Sequence, residues 1–259
     1  MRRINQIVIY CLFFCVLALS ASLAGAEPVV HLTTTVREPY HGPDLPGQGY
    51  VTEITSAALQ SVGYRLKVTY MPWTRAIRTA ALGGSDGVMG ALYNEARTLY
   101  LSYTEPLVPV EMTLLKRKGE PFVFASSSDL TPYRIAFVRG GAMNRDFDPE
   151  IRFEDSANHE QALQQLVAGR VDLMLDSHAV IIHLLQTRYP EYRDRVEFVR
   201  PPLLVHPLFN GFSKSVEGYE RRLRDFNRGL ELIKADGTYQ RILKRHGLET
   251  HASASAGAP

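Results

Sequence analysis

The alternation of strand and helix patterns over residues 29–92 constrains the fold more than any other feature of the sequence. Apolar and β-branched runs predict strands, and apolar residues spaced three or four apart predict helices. The predicted elements follow in the order strand, helix, strand, helix, strand: Val29–Thr35, Glu53–Val62, Arg65–Tyr70, Trp73–Leu82 and Val88–Leu92. This order is typical of a parallel sheet with crossover helices, so it predicts an α/β fold.

The second half of the chain contains another unit of the same kind. Strands are predicted at Tyr133–Val138 and Val171–Leu175, on either side of a helix over His159–Ala168. Two more helices are predicted near the end, at Val216–Lys234 and Gly237–Arg245. Two α/β units of similar size in 259 residues predict two lobes, each a mainly parallel sheet flanked by helices.

The chain is expected to cross between the lobes twice, at Lys116–Pro121 and at Val199–Pro207. Lobe 1 then comprises residues 27–116 and 204–249, and lobe 2 comprises residues 117–203. Ligands of open α/β sheets bind beyond the carboxyl ends of the strands. We therefore expect a ligand in the cleft between the lobes.

The N-terminus has the pattern of a cleavable secretory signal over residues 1–26. Basic residues precede the apolar run Ile7–Leu19, and small residues at Ala24 and Ala26 suit a cleavage site. The run is shorter than the roughly 20 residues that span a bilayer, although an uncleaved anchor is the alternative. Both cysteines, Cys11 and Cys15, lie in this segment, so the mature chain is expected to lack thiols and disulfides. The tail at residues 250–259 is small, polar and expected to be disordered.

Charge and motifs argue against several classes of function. The chain has 29 basic and 27 acidic residues, and loss of Arg2 and Arg3 with the signal makes it formally neutral. No basic tract suggests nucleic-acid binding. The sequence has no P-loop, dinucleotide-binding fingerprint, nucleophile elbow or His-Glu-x-x-His motif. We therefore expect no catalytic residues, no metal and no cofactor.

The segment Gly83–Pro106, GGSDGVMGALYNEARTLYLSYTEP, holds the clearest candidate for ligand binding. One arginine, Arg97, follows the strand predicted at Val88–Leu92. Its planar guanidinium, with backbone N–H groups of Gly90 and Ala91 behind it, is suited to bind a carboxylate bidentately. Local chemistry leaves open the alternative that Arg97 is a surface charge on a short helix.

This segment and three others resemble the family 3 periplasmic solute-binding proteins, the polar amino acid-type receptors of ABC importers. The likeness runs in order and in register from about Val29 to Leu248. The other three segments are DLTPYRIAFVRGG at 129–141, ALQQLVAGRVDLMLDS at 162–177 and ADGTYQRILKRHG at 235–247.

The resemblance implies a monomeric, two-lobed Venus-flytrap receptor in the periplasm. Its ligand would be a small carboxylate or amino acid, and its partner an inner-membrane ABC permease or a membrane sensor. Arg97 would bind the α-carboxylate, while Tyr40 and Trp73 would cover the side chain of the ligand, although core packing is an equal alternative for Trp73. Lobe 2 would add backbone donors from Gly140, Gly141 and Ala142.

The sequence departs from the pattern of the amino acid receptors where they bind the α-ammonium group. Leu92 and Gly141 or Ala142 stand where those receptors carry hydroxyls. Their ammonium-binding Asp corresponds to Ser177, and Asp176 is one residue early. A one-residue shift in a strand turns a side chain to the other face unless a bulge re-aims it. The carboxylate contact is therefore expected, and the ammonium contact is left open.

Two other functions on the same fold are alternatives. The first is a sensory receptor that hands its closed form to a membrane signalling protein. The second is a dehydratase-like enzyme, which needs a positioned acid in the cleft; Glu38, Asp176 and Glu105 are the nearby candidates.

Overall fold

The computed structural model describes residues 27–139 and 150–248. Within these ranges it contains ten strands and six α-helices. The strands are β1 Val29–Thr34, β2 Arg65–Tyr70, β3 Gly87–Leu92, β4 Leu101–Tyr103, β5 Val108–Arg117, β6 Arg134–Val138, β7 Arg152–Ser156, β8 Leu173–Ser177, β9 Val196–Phe198 and β10 Leu204–Ser213. The helices are α1 Tyr50–Gln60, α2 Trp73–Ala81, α3 His159–Val167, α4 His178–Thr187, α5 Tyr219–Ala235 and α6 Thr238–Arg245. Short 3-10 helices cover Pro46–Gln48, Glu95–Leu99, Ser127–Leu130 and Pro190–Arg195.

The predicted signal segment, the tail and the three residues Gly140 to Ala142 lie outside the described ranges. Among the helices that are described, none has the length and apolar character needed to cross a membrane.

The strands form a continuous sheet that is parallel at both ends and antiparallel in the middle. Their order is β2-β1-β3-β10-β5-β8-β6-β7, with β4 paired to β10 and β9 paired to β5. At one end β1 runs parallel to β2 and β3, and at the other β6 runs parallel to β7 and β8. Helices between successive parallel strands cover the sheet, so the predicted α/β fold is confirmed.

Strands β5 and β10 join the two parallel groups. They pair antiparallel from Val108 opposite Leu208 to Met112 opposite Leu204. Beyond this stretch β5 continues along β8, while β10 continues along β3. The sequence analysis predicted neither strand and placed the two crossings at Lys116–Pro121 and Val199–Pro207, which overlap the end of β5 and the start of β10. Prolines inside an apolar run ordinarily argue against a strand. In the structure Pro109 and Pro207 lie opposite each other in the register, inside two ten-residue strands.

The remaining differences are confined to short strands and to element ends. Strand β2 and the helices α1, α2, α3, α5 and α6 occur where they were predicted, within about three residues. Strands β4 and β7 were not predicted, because each is short and lacks a clear apolar alternation. The lobe boundaries at residues 116, 117, 203 and 204 stay a prediction.

Helix α5 packs against α1 at a point where their backbones nearly touch. A Cβ atom placed on Gly229 would lie 2.0 Å from the carbonyl oxygen of Ala58. The Ser61 hydroxyl bridges the same contact, at 2.8 Å from the Ala58 oxygen and 3.3 Å from the Gly229 oxygen. Glycine at position 229 therefore permits the approach of the two helices.

Replacing Gly229 by alanine has two opposing effects on the stability of the protein. Helix propensity alone predicts stabilisation by about 1 kcal/mol, since glycine is unfavourable inside a helix. The clash with Ala58 predicts destabilisation by roughly 1–3 kcal/mol, because the helices must move apart. We expect the urea midpoint to fall in Gly229→Ala and to stay nearly unchanged in Glu231→Ala, which is exposed on the same helix. A rise in the midpoint of Gly229→Ala would contradict the packing argument.

Candidate ligand-binding cleft

A cavity lies where the carboxyl ends of the two parallel strand groups meet. It encloses about 570 Å³ of space not filled by atoms, part of it open to solvent. The ends of β1, β3, β6 and β8 all contribute to its lining, as expected for a ligand site of an open α/β sheet. The lining residues are Thr35, Arg37, Trp73, Gly90, Leu92, Arg97, Met112, Phe137, Val138, His159, Leu175 and Asp176.

The fold holds the guanidinium of Arg97 at the cavity wall. Arg97 lies in the 3-10 helix that follows β3 and is 8% exposed. Its guanidinium carbon is 5.5 Å from the ring centroid of Trp73, the first residue of α2, which is a cation–π distance. Burial raises the pKa of the neighbouring Tyr103, and the charge of Arg97 opposes this rise. An arginine this buried is not a solvated surface charge, and it presents a fixed cation to the cavity.

A second charged group faces Arg97 from the other strand group. The carboxylate of Asp176, at the end of β8, is 2.5 Å from Nδ1 of His159, the first residue of α3. Its other oxygen accepts the backbone N–H of Ser177 at 2.7 Å and lies 4.0 Å from Nη2 of Arg37. The cleft therefore contains a buried His–Asp–Arg cluster.

The donors around Asp176 keep its carboxylate ionised. Burial by itself raises the pKa of this carboxyl. The charge and hydrogen bond of His159, the charge of Arg37 and the N–H of Ser177 together outweigh burial, and the pKa lies below its ordinary value.

The remaining lining is largely apolar. Side chains from both strand groups contribute to it: Trp73, Leu92, Met112, Phe137, Val138 and Leu175. Trp73 also packs against a small cluster that contains Ala80 and Val88, so it serves both the core and the cavity wall. Within the described ranges no three acidic, histidine or cysteine side chains are grouped so that they could hold a metal ion.

Residues 37–249 match the sequence-family model of the bacterial extracellular solute-binding proteins, family 3. The chain belongs to this family. The resemblance seen in the four sequence segments is therefore confirmed. No curated protein sequence gives a significant match.

Three solved structures share the fold of this chain at low sequence identity. One is the substrate-binding protein of an amino acid ABC transporter, 17% identical, with a TM-score of 0.70 over 84% of this chain and 98% of that one. Another is a histidine kinase sensor domain with similarity to periplasmic binding proteins, 20% identical, with a TM-score of 0.73 over 85% and 95%. The third is an ancestral amino acid-binding protein described as a precursor of cyclohexadienyl dehydratase, 22% identical, with a TM-score of 0.67 over 88% and 98%. The two-lobed fold class is thereby confirmed.

Five of the residues predicted for the site line the cavity together, although they come from distant parts of the chain. They are Trp73, Gly90, Leu92, Arg97 and Asp176. The backbone N–H of Gly90, predicted as a ligand donor, instead donates to Oδ1 of Asn210 at 3.2 Å. Ala91 is fully buried in β3 and does not line the cavity.

Tyr40, predicted to cover the ligand, does not line the cavity. Tyr40 is 2% exposed, and its hydroxyl lies 2.6 Å from that of Ser177. Burial raises the pKa of Tyr40, and the Arg37 charge and the Ser177 hydrogen bond oppose this rise. Successive side chains of a strand point in opposite directions. Asp176 accordingly lines the cavity, while the Ser177 hydroxyl points to Tyr40.

Sequence reasoning missed two cavity residues that carry chemistry, Arg37 and His159. Arg37 follows the first strand as Arg97 follows the third, so the same strand-end argument applied to β1 would have found it. His159 follows the helix-capping Asn158, whose side chain accepts the N–H of Gln161 at 2.8 Å. That cap predicts where α3 begins, but no local pattern indicates that the helix start meets Asp176.

His41 supports the cavity from behind Gly90. It is fully buried, and its Nδ1 donates to the carbonyl of Thr35 at 2.8 Å. A Cβ on Gly90 would lie 2.4 Å from its Nε2, so the ring fills the space behind the strand. Burial, helped by the charge of Arg37, lowers the pKa of His41 to about 3. The imidazole therefore stays neutral in the folded protein.

This neutral histidine makes stability depend on pH. The unfolded chain binds a proton at His41 below about pH 6.5, whereas the folded chain does so only near pH 3. The stabilisation is complete above pH 6.5 and is lost as pH falls, by roughly 2–3 kcal/mol between pH 6 and pH 4. We expect urea unfolding of the wild type to show this fall in the free energy of unfolding between pH 6 and pH 4. In His41→Asn, which keeps a donor for the carbonyl of Thr35, the fall should be smaller by the same amount. An equal pH dependence in both proteins would contradict a buried neutral His41.

Proposed function

We propose that the protein is a periplasmic binding protein that captures a small carboxylate-bearing solute and delivers it to an ABC importer. The observation that carries this proposal is the buried guanidinium of Arg97 in a cleft lined by both strand groups. A buried arginine offers paired N–H donors in a fork that matches a carboxylate. Export by the predicted signal at residues 1–26 is part of the proposal, as is a monomeric receptor without catalytic activity.

Capture would work as a shift between open and closed forms. A ligand that touches both lobes only when they are closed favours the closed form by its extra binding energy there. The first lobe would contribute Arg97, Arg37 and Trp73, and the second would contribute Asp176, His159 and its apolar residues. The predicted lobe boundaries would assign these groups to opposite sides of the cleft.

The segment that follows β1 supports such a closure, because it contacts the second strand group through charged side chains. Oε2 of Glu38 accepts hydrogen bonds from Nε2 of His183 at 3.1 Å and from Nη2 of Arg188 at 2.9 Å. These contacts lie beside the Arg37–Asp176 and Tyr40–Ser177 pairs. A short run of four residues therefore makes several polar links across the cleft.

Arg97→Ala tests the carboxylate contact. A thermal-shift screen of small carboxylates first identifies a ligand, since binding stabilises the folded state by mass action. Isothermal titration with that ligand is expected to show a Kd at least about 30-fold weaker in Arg97→Ala, which corresponds to roughly 2 kcal/mol. Arg97→Lys keeps the charge but not the fork, so an intermediate loss is expected.

Arg78→Ala is the matched control, since Arg78 is exposed on α2 and does not line the cavity. Unchanged thermal unfolding of the ligand-free variants verifies that they fold. Full-strength binding by a folded Arg97→Ala protein would overturn the proposal.

Sensing is the second candidate function, and the likeness to a histidine kinase sensor domain favours it. The same closure would then be read by a membrane signalling protein instead of a permease. Cross-linking of the ligand-loaded protein in its native membrane separates the two functions. Recovery of a permease supports import, and recovery of a sensor kinase supports signalling.

A dehydratase is the third candidate, favoured by the likeness to a precursor of such an enzyme. Of the three acids that the sequence suggested, Asp176 lines the cavity and is paired with His159, a group able to carry a proton. Glu38 is bound to His183 and Arg188, and Glu105 is exposed. Turnover of a cyclohexadienyl acid by the purified protein would favour this candidate over a binding protein.

A further inference from the structure

We propose that the cleft selects small organic acids that carry a carboxylate but no α-ammonium group. The inference rests on the proposed carboxylate-binding function and names the class of ligand for the same cavity. It follows from what already surrounds the acid of the cleft, Asp176, and from the balance of charge along the lining.

Asp176 is the only carboxylate among the described lining residues, and its oxygens already have donors. One accepts Nδ1 of His159, and the other accepts the backbone N–H of Ser177. Because an ionised carboxylate can only accept, Nδ1 of His159 is the donor in this bond. The group that would have to pair with a ligand ammonium is thus engaged within the protein, at 3% exposure.

Arg37 adds a repulsive contact on the same side. Its Nη2 lies 4.0 Å from Asp176, and its guanidinium is 5.1 Å from the ring centroid of Tyr40, which holds it in place. Its Nε is buried and has no hydrogen-bond partner within the described ranges. An ammonium that approached Asp176 would meet this cation, whereas an anion would be attracted by it and could accept its N–H.

Neutral acceptors for an ammonium are also scarce. Thr35 is the one hydroxyl-bearing residue among the described lining residues, so its hydroxyl is the one uncharged side-chain oxygen that they offer; its backbone carbonyl accepts a bond from His41. Leu92 lines the cavity at the position where amino acid receptors of this kind were expected to carry a hydroxyl. A buried ammonium without acceptors is unfavourable, because the free energy lost on removing an unpaired charge from water exceeds what its other contacts contribute.

The charge of the lining matches a monoanion. Among the described lining residues two guanidinium groups, Arg37 and Arg97, stand against the single carboxylate of Asp176, and a proton on His159 adds to this positive excess. A zwitterionic amino acid leaves this excess positive charge in place, and a carboxylate without an ammonium neutralises it. The apolar remainder of the lining suits a hydrocarbon body on that acid.

Matched ligands that differ in one group test the inference on the unaltered protein. Each amino acid is compared by isothermal titration with its L-2-hydroxy acid and with the amine that lacks the carboxylate. Three series with side chains of increasing size are used: alanine with lactate and ethylamine, leucine with 2-hydroxy-4-methylpentanoate and 3-methylbutylamine, and phenylalanine with 3-phenyllactate and 2-phenylethylamine. In every series that binds, the hydroxy acid is expected to bind at least tenfold more tightly than the amino acid.

The outcomes separate this inference from the proposed function. Equal or tighter binding of the amino acids overturns the inference and leaves the carboxylate-binding function standing. Binding of the amines, or of no member of any series, overturns both.

A variant pair tests the role assigned to Arg37. In Arg37→Met the preference for the hydroxy acid over the amino acid is expected to shrink at least threefold, because the repelling cation is gone. The same substitution at exposed Arg78 on α2 is the matched control and should leave the ratio unchanged. An undiminished ratio in folded Arg37→Met would overturn the role of Arg37, and the wild-type comparison decides the inference even if this variant fails to fold.

Discussion

The buried carboxylate of Asp176 is the constraint on which the cleft depends. A charge taken out of water is costly unless donors surround it. Its partners are His159 at the start of α3, the backbone N–H of the next residue in β8 and Arg37 in the segment after β1. The contacts of one carboxylate therefore join groups from both parallel parts of the sheet.

The cluster around Asp176 also joins the two strand groups in a way that a ligand can alter. Residues 37–40 contact the second group through an arginine, a glutamate and a tyrosine. An anion bound beside Arg37, as proposed, would compete with Asp176 for the same guanidinium while adding contacts of its own. Contacts that change with occupancy are what a population shift between open and closed forms requires. The long paired strands β5 and β10 give such a shift a continuous backbone connection.

The sequence was sufficient for the α/β fold and for about half of the chemistry of the cleft. Arg97 and Asp176 were found because each lies at the end of a recognisable strand motif. The strands β5 and β10 were missed because Pro109 and Pro207 interrupt their apolar patterns. The pairing of His159 with Asp176 depends on how α3 packs beside β8, and the burial of Tyr40 depends on its bond to Ser177. Such contacts join distant segments, and no local spacing encodes them.

The two sides of the cleft illustrate how one fold can change its ligand. The strand ends that line the cavity are connected by loops, so substitutions there leave the core intact. Specificity is a difference between affinities, and a site can achieve it by penalising the wrong ligand as well as by attracting the right one. In the proposed site Arg97 supplies the carboxylate contact, while His159 occupies Asp176 and Arg37 would repel an ammonium. The proposed selectivity therefore follows from the groups that engage Asp176, and not from the presence or absence of an acid in the cleft.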